Sequence, residues 1–161
     1  MECKIKISGI VQQSIVDGPG LRFVVFTQGC PHKCDGCHNP QTHDFNGGNY
    51  IEISQLLEDF DSNPLLQGVT ISGGEPFCRA NELIPFAKEI KARNKNIYIF
   101  SGYYLKELLT LGQTNKDIIT LLKLCDFLID GPFIKKLYDP FLKFRGSSNQ
   151  NIIELKLIAL D

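Results

Sequence analysis

Three features of the sequence predict an α/β fold with a mainly parallel sheet. Apolar, β-rich runs alternate with segments of helical period along the chain. The composition, 43% hydrophobic and 22% charged, suits a globular domain that buries a core. The 161 residues fit one domain, 1–161, and fall short of the roughly 250 that a closed eight-unit barrel needs. A partial barrel or an open sheet with right-handed crossovers is therefore expected.

Ile5–Val11 and Leu21–Thr27 are the first two predicted strands. Ser54–Phe60 reads as a short helix with Leu56, Leu57 and Phe60 on one face. Gly68–Ser72 is the next strand. Asn81–Arg93 carries Leu83, Phe86, Ala87 and Ile90 at the spacing of a buried helical stripe. Asn81 is its expected N-cap, with Pro85 in the first turn, where a missing N–H costs little. Asn96–Phe100 is a strand, Tyr104–Thr110 and Lys116–Leu124 are helices, and Cys125–Ile129 and Ile152–Leu157 close the chain as strands. No repeat or low-complexity tract interrupts this series.

Lys and Arg number 17 against 18 Asp and Glu, a net charge of -1. That balance argues against a strongly basic nucleic-acid binder and a highly charged disordered tail. No apolar run approaches the roughly 18 residues that would suggest a membrane helix. The N-terminus lacks the basic-then-apolar pattern of a signal peptide. A cytoplasmic location with no direct nucleic-acid or membrane partner is expected.

In α/β folds the working site lies at the C-terminal ends of the strands. Four unusual segments follow predicted strands: Gln28–Asn39, Gly73–Phe77, Ser101–Tyr103 and Asp130–Phe133. The first holds three of the six cysteines, Cys30, Cys34 and Cys37, in a C-x3-C-x2-C loop. Thiolates at this spacing suit zinc or an iron–sulfur cluster. With His32 or His38 as fourth ligand the loop would make a closed Cys3His zinc site, a non-catalytic module. A four-iron cluster usually takes four cysteines, so three would leave one iron open for another ligand. Cys3, Cys78 and Cys125 stand apart and read as small hydrophobes. Both metals remain open on these residues alone.

The cysteine loop, followed at the next strand end by Gly73-Gly74-Glu75-Pro76, resembles the radical S-adenosylmethionine (SAM) enzymes. Val16-Asp17-Gly18-Pro19-Gly20-Leu21-Arg22 narrows the likeness to the glycyl-radical-enzyme activases. Asp130-Gly131-Pro132-Phe133 and Phe144-Arg145-Gly146-Ser147-Ser148-Asn149-Gln150 narrow it again, to the activators of the anaerobic (class III) ribonucleotide reductase. The likeness runs from about Ile10 to Gln150. One departure is Gly36, where the wider superfamily often has an aromatic residue.

The resemblance implies a partial TIM-like barrel of the radical SAM type and an oxidoreductase activity. It implies a [4Fe-4S] cluster on Cys30, Cys34 and Cys37, which are the catalytic and metal-binding residues. The open iron would take SAM, bound by Gly36, Cys37, His38, Gly73, Gly74 and Glu75, with the Glu75 carboxylate accepting from the SAM ammonium. Reductive cleavage of SAM would then yield a 5′-deoxyadenosyl radical that abstracts hydrogen from a partner glycine. The implied partners are the large, glycyl-radical subunit of the anaerobic ribonucleoside-triphosphate reductase and a one-electron donor such as flavodoxin or ferredoxin. A homodimer within a larger complex is compatible with this reading. The same chemistry on a pyruvate formate-lyase-like partner is the alternative.

Lys135, Lys136, Lys143 and Arg145 stand against Asp139 in one late segment. It reads as a solvated face, as a docking surface for the partner, or as an anchor for the SAM carboxylate. Ser101 and Asp130 would either reach the ligand or cap a neighbouring turn.

Overall fold

A computed structural model describes residues 3–160. Seven strands form one sheet: β1 (Lys4–Ser14), β2 (Arg22–Thr27), β3 (Asn49–Glu52), β4 (Gly68–Gly73), β5 (Asn96–Phe100), β6 (Phe127–Asp130) and β7 (Asn151–Glu154), in the order β3-β1-β2-β4-β5-β6-β7. Four helices accompany them: α1 (Ile53–Asp61), α2 (Ala80–Ala92), α3 (Leu105–Leu111) and α4 (Lys116–Leu124). Among the described residues no helix is long and apolar enough to cross a membrane.

The expected mainly parallel sheet is parallel only at its centre, and the fold is mixed α/β. β2–β4, β4–β5 and β5–β6 pair parallel, whereas β3–β1, β1–β2 and β6–β7 pair antiparallel. Connection length explains the first reversal. A parallel crossover needs about a dozen residues or more, and the link 15–21 between β1 and β2 is shorter. The sheet is open, with β3 and β7 at its edges.

Strand alternation divides the sheet into two faces. Phe23, Val25, Val69, Ile71, Ile97, Ile99 and Leu128 point to one face and join the apolar core with Leu83, Phe86, Ala87 and Ile90 of α2. That face also packs Leu56 and Phe60 of α1 and Leu121 and Leu122 of α4. The alternate residues, Arg22, Val24, Phe26, Thr70, Ser72, Tyr98 and Phe100, point to the other face.

Local details depart from the sequence reading. α2 begins at Ala80, with Arg79 as N-cap and no side-chain cap. Asn81 is therefore inside the helix, and Pro85 lies in its second turn. The preceding 3-10 turn, Pro76–Arg79, leads directly into α2 and moves its start upstream. Cys125 is the C-cap of α4 rather than the start of a strand. The last strand stops at Glu154, after which Leu155–Leu157 turns as a 3-10 helix. β3 is the strand that the sequence pattern does not announce; it borrows its order from pairing with β1.

Candidate active site

The connection 15–21 lies over the open face because Arg22 pins it there. Arg22 is fully buried. Its Nε donates to Thr70 Oγ1 at 2.8 Å, Nη1 to the Pro19 carbonyl at 3.2 Å and Nη2 to the Val69 carbonyl at 2.8 Å. Thr70 Oγ1 donates onward to the Asp17 carbonyl at 2.8 Å. The guanidinium also lies 4.6 Å from the Tyr98 ring centroid, a cation–π contact. Burial lowers its pKa to about 10. Gly18 has φ +146°, and a Cβ there would run into Arg22 Cδ. The Gly-Pro-Gly turn thus serves the arginine's passage.

The late motifs hold each other in the same way. Gln150 Oε1 accepts from the Gly146 and Ser147 N–H groups, and its amide donates to the Gly131 carbonyl at 3.0 Å. Asn149 Nδ2 donates to the Pro132 carbonyl at 2.8 Å. These bonds fold 131–150 across the C-terminal ends of the strands.

Between these two covers lies a cavity of about 500 Å³. Cys30, Cys34, Cys37, His32 and His38 line it, opposite Gly73 and Gly74 at the end of β4. Cys30 is buried, while Cys34 and Cys37 are half-buried. Burial pushes the Cys30 thiol pKa up, helped by Glu75 and Cys34, while the backbone N–H groups of His32 and Lys33 oppose the shift. The Cys37 N–H donates to the Cys34 carbonyl at 3.1 Å, and the Asn39 N–H points at Cys37 Sγ at 3.4 Å.

Gly73, the last residue of β4, and Gly74 just after it reflect close packing. Gly73 has φ +98°, and a Cβ on it would sit 2.5 Å from Thr27 N. A Cβ on Gly74 would collide with the Gly29 carbonyl. The Gly74 and Glu75 N–H groups bond the Thr27 and Gly29 carbonyls at 2.9 and 2.8 Å. The start of the cysteine loop is thereby held against the end of β4.

Two residues expected in the site stand outside the cavity wall. Gly36, with φ +74°, is exposed, and a Cβ on it would face Phe133 and Lys135. Glu75 is fully buried, and protein donors surround its carboxylate: Phe77 N–H at 3.0 Å, Ser101 Oγ at 2.9 Å, Gly102 N–H at 2.8 Å and His32 Nε2 at 2.7 Å. A carboxylate has about four lone-pair sites, so little capacity remains for a ligand's ammonium. Asp130 accepts from the Leu105 and Asn151 N–H groups, capping the start of α3 and the start of β7. The basic segment divides: Arg145 lines the cavity, while Lys135, Lys136 and Lys143 are exposed.

Residues 16–153 match the family described as a 4Fe-4S single cluster domain. A protein of Haemophilus influenzae named anaerobic ribonucleoside-triphosphate reductase-activating protein is 36% identical over 151 residues, covering 89% of this chain and 94% of its own. The chain belongs to this family of activating proteins. The relative so named in Escherichia coli is 35% identical over 88% of this chain and 94% of its own. The one in Enterobacteria phage T4 is 34% identical over 85% and 86%. The crystal structure of QueE from Escherichia coli shares the fold, with TM-score 0.52 and 16% identity over 62% of this chain. The matched part is about half of QueE, 52%.

The matched family is described as a 4Fe-4S domain, and the cavity carries three thiols. Among the described residues no group of three Cys, His, Asp or Glu side chains converges as a single-ion site. The three thiols nonetheless line the cavity together, and thiolates suit an iron–sulfur cluster. His32 turns its Nε2 to Glu75, and His38 packs its ring against Phe133 at 5.2 Å. Neither histidine completes a Cys3His set in this arrangement.

The sequence reading missed His43, Phe26, Ser72 and Phe100 among the lining residues. Period-two alternation already puts Phe26, Ser72 and Phe100 on one face at three strand ends, so a signal for them existed. His43 had none. Its Nε2 is buried without a hydrogen-bond partner, as is Arg145 Nε. Both residues line the cavity, and unpaired buried polar atoms there suit a polar ligand.

Proposed function

We propose that this activating protein holds a [4Fe-4S] cluster on Cys30, Cys34 and Cys37, binds SAM beside it, and activates the anaerobic ribonucleotide reductase. The observation that carries this reading is the meeting of the three-thiol loop with the Gly73–Gly74 strand end in one cavity. Bound there, the cluster and SAM would supply the reductive C–S cleavage needed to form a glycyl radical on the reductase.

The chain's own residues bind, orient and exclude. The three thiols, which line one cavity, would hold the cluster. Gly73 and Gly74 let the end of β4 approach Thr27 and Gly29 closely, which sets the thiol loop beside it. His38 and the Cys37 backbone border the same cavity. Phe26, Phe100 and Phe144 give it apolar walls, which protect a reactive species from water. His43 Nε2 and Arg145 Nε offer unpaired polar atoms; Arg145 is a suitable partner for a carboxylate. A partial TIM-like barrel of the radical SAM type is the finer description of this architecture, with the covers 15–21 and 131–150 flanking the mouth. The reductase is the proposed glycyl-radical partner, and flavodoxin or ferredoxin the proposed electron donor.

The test is anaerobic. Reconstituted, reduced protein is mixed with SAM and the reductase, and a glycyl radical is sought by EPR beside 5′-deoxyadenosine. Both are expected. A colourless, zinc-containing protein that yields neither product overturns the reading.

A further inference from the structure

The cysteine loop is weakly held by its own backbone. The Cys30 N–H donates to the His43 carbonyl, and the Asn39 carbonyl accepts from the Thr42 N–H. Between these points one backbone bond, Cys37 to Cys34, closes a turn within the loop. Lys33 stands at φ +48°, a conformation that an L side chain adopts at a cost. Side chains must therefore supply the loop's order.

One of them is His32. Its Nε2 lies 2.7 Å from Glu75 Oε1. The two side chains are within hydrogen-bond reach, with His32 Nε2 and the Glu75 carboxylate as the partners. The ring stands edge-on to Tyr103, 4.4 Å between centroids. It also lies over Gly102, where an added Cβ would collide with the ring. Three consecutive residues beyond β5 thus serve His32. Ser101 and Gly102 orient its carboxylate partner, Gly102 leaves room for the ring, and Tyr103 supports its flank. The Tyr103 N–H closes the arrangement by donating to Ser101 Oγ at 3.0 Å.

We propose that Glu75 and His32 are positioning residues, a side-chain tether that sets the thiol loop against the ends of β4 and β5 before any cofactor arrives. Glu75 serves by gathering donors from three segments: the turn after β4, the turn after β5 and the cysteine loop. Its consequence for cluster loading rests on the cluster reading above; the tether itself does not.

The test uses the full-length reduced apoprotein, with iodoacetamide alkylation mapped by mass spectrometry. Cys30, buried at the start of the loop, reports loop opening. Cys125, buried at the far end of α4, reports global opening. His32→Ala should speed Cys30 alkylation about tenfold, the scale of one lost charge-assisted hydrogen bond in a local opening equilibrium. Cys125 should keep its rate. Gly102→Ala should shift Cys30 the same way by displacing the ring. His32→Gln, which retains an N–H donor, should restore most of the protection. On anaerobic reconstitution, His32→Ala should retain less iron than wild type. An unchanged Cys30 rate in both His32→Ala and Gly102→Ala overturns the tether, as does an equal rise at Cys125. Failure of the wild type to take up iron would instead refute the cluster reading, and the alkylation rates would still judge the tether.

Discussion

The two faces of the sheet solve opposite problems. The helix-covered face is apolar throughout, and Phe23, Ile71, Ile97 and Phe86 lose essentially all contact with solvent. The open face also buries residues, but with polar and aromatic chemistry: Arg22, Thr70 and Tyr98 are buried, and Ser72 is half-buried beside the cavity. One face is filled by shape. The other is closed by two loops fastened with hydrogen bonds, and the cavity is the space they leave. A face intended for chemistry must stay partly unfilled, so its order has to come from directional bonds.

The largest contrast is expected at the cysteines. Cys34→Ala should abolish iron retention after anaerobic reconstitution while leaving the melting temperature nearly unchanged. Cys78→Ala, outside the cavity wall, should retain iron. Equal loss in both would erase the distinction between the loop and the rest of the chain. On the covered face, Phe86→Ala should cost about 3–5 kcal/mol in urea unfolding, the price of a large core cavity. Iron stoichiometry per folded molecule should not change. On the open face, Arg22→Met keeps apolar bulk but strands the carbonyls that Arg22 satisfies, costing roughly 1–3 kcal/mol. It should also release 15–21 to limited proteolysis, which Phe86→Ala at matched stability should not do.

The smallest effect belongs to the outer side of the helices. Asp61 receives Arg93 Nε and Nη2 at 2.8 and 2.9 Å, and this hydrogen bonding holds its carboxyl below the usual value. A lowered carboxyl pKa contributes stability above the unfolded-state value, and the contribution disappears as pH falls through the folded one. Both groups are substantially exposed, so Asp61→Asn should cost only about 0.5 kcal/mol at neutral pH. The gap from wild type should close on acidification towards pH 3, as followed by denaturant midpoints.

The covered face was legible in the sequence because periodicity records burial directly. Leu83, Phe86, Ala87 and Ile90 announce α2, and the alternation of Val69 and Ile71 announces β4. The ends of elements were less legible. Asn81 has the chemistry of an N-cap, yet the turn Pro76–Arg79 supplies an earlier start. β3 escaped because an edge strand of exposed residues carries no apolar pattern. The three thiols were readable from spacing. The burial of Glu75 was not, since its donors lie on the turn after β5 and on the cysteine loop as well as on its own turn.

The sequence by itself determined which residues are core, which thiols can act together and which motifs mark the strand ends, because these follow from local period and spacing. Only the tertiary structure decided that the sheet reverses at both edges, that Arg22 and Gln150 fasten the covers, and that Glu75 faces inward to His32 rather than into the cavity. Those outcomes depend on hydrogen-bond partners distant along the chain, and one-dimensional spacing does not encode which donor finds which acceptor.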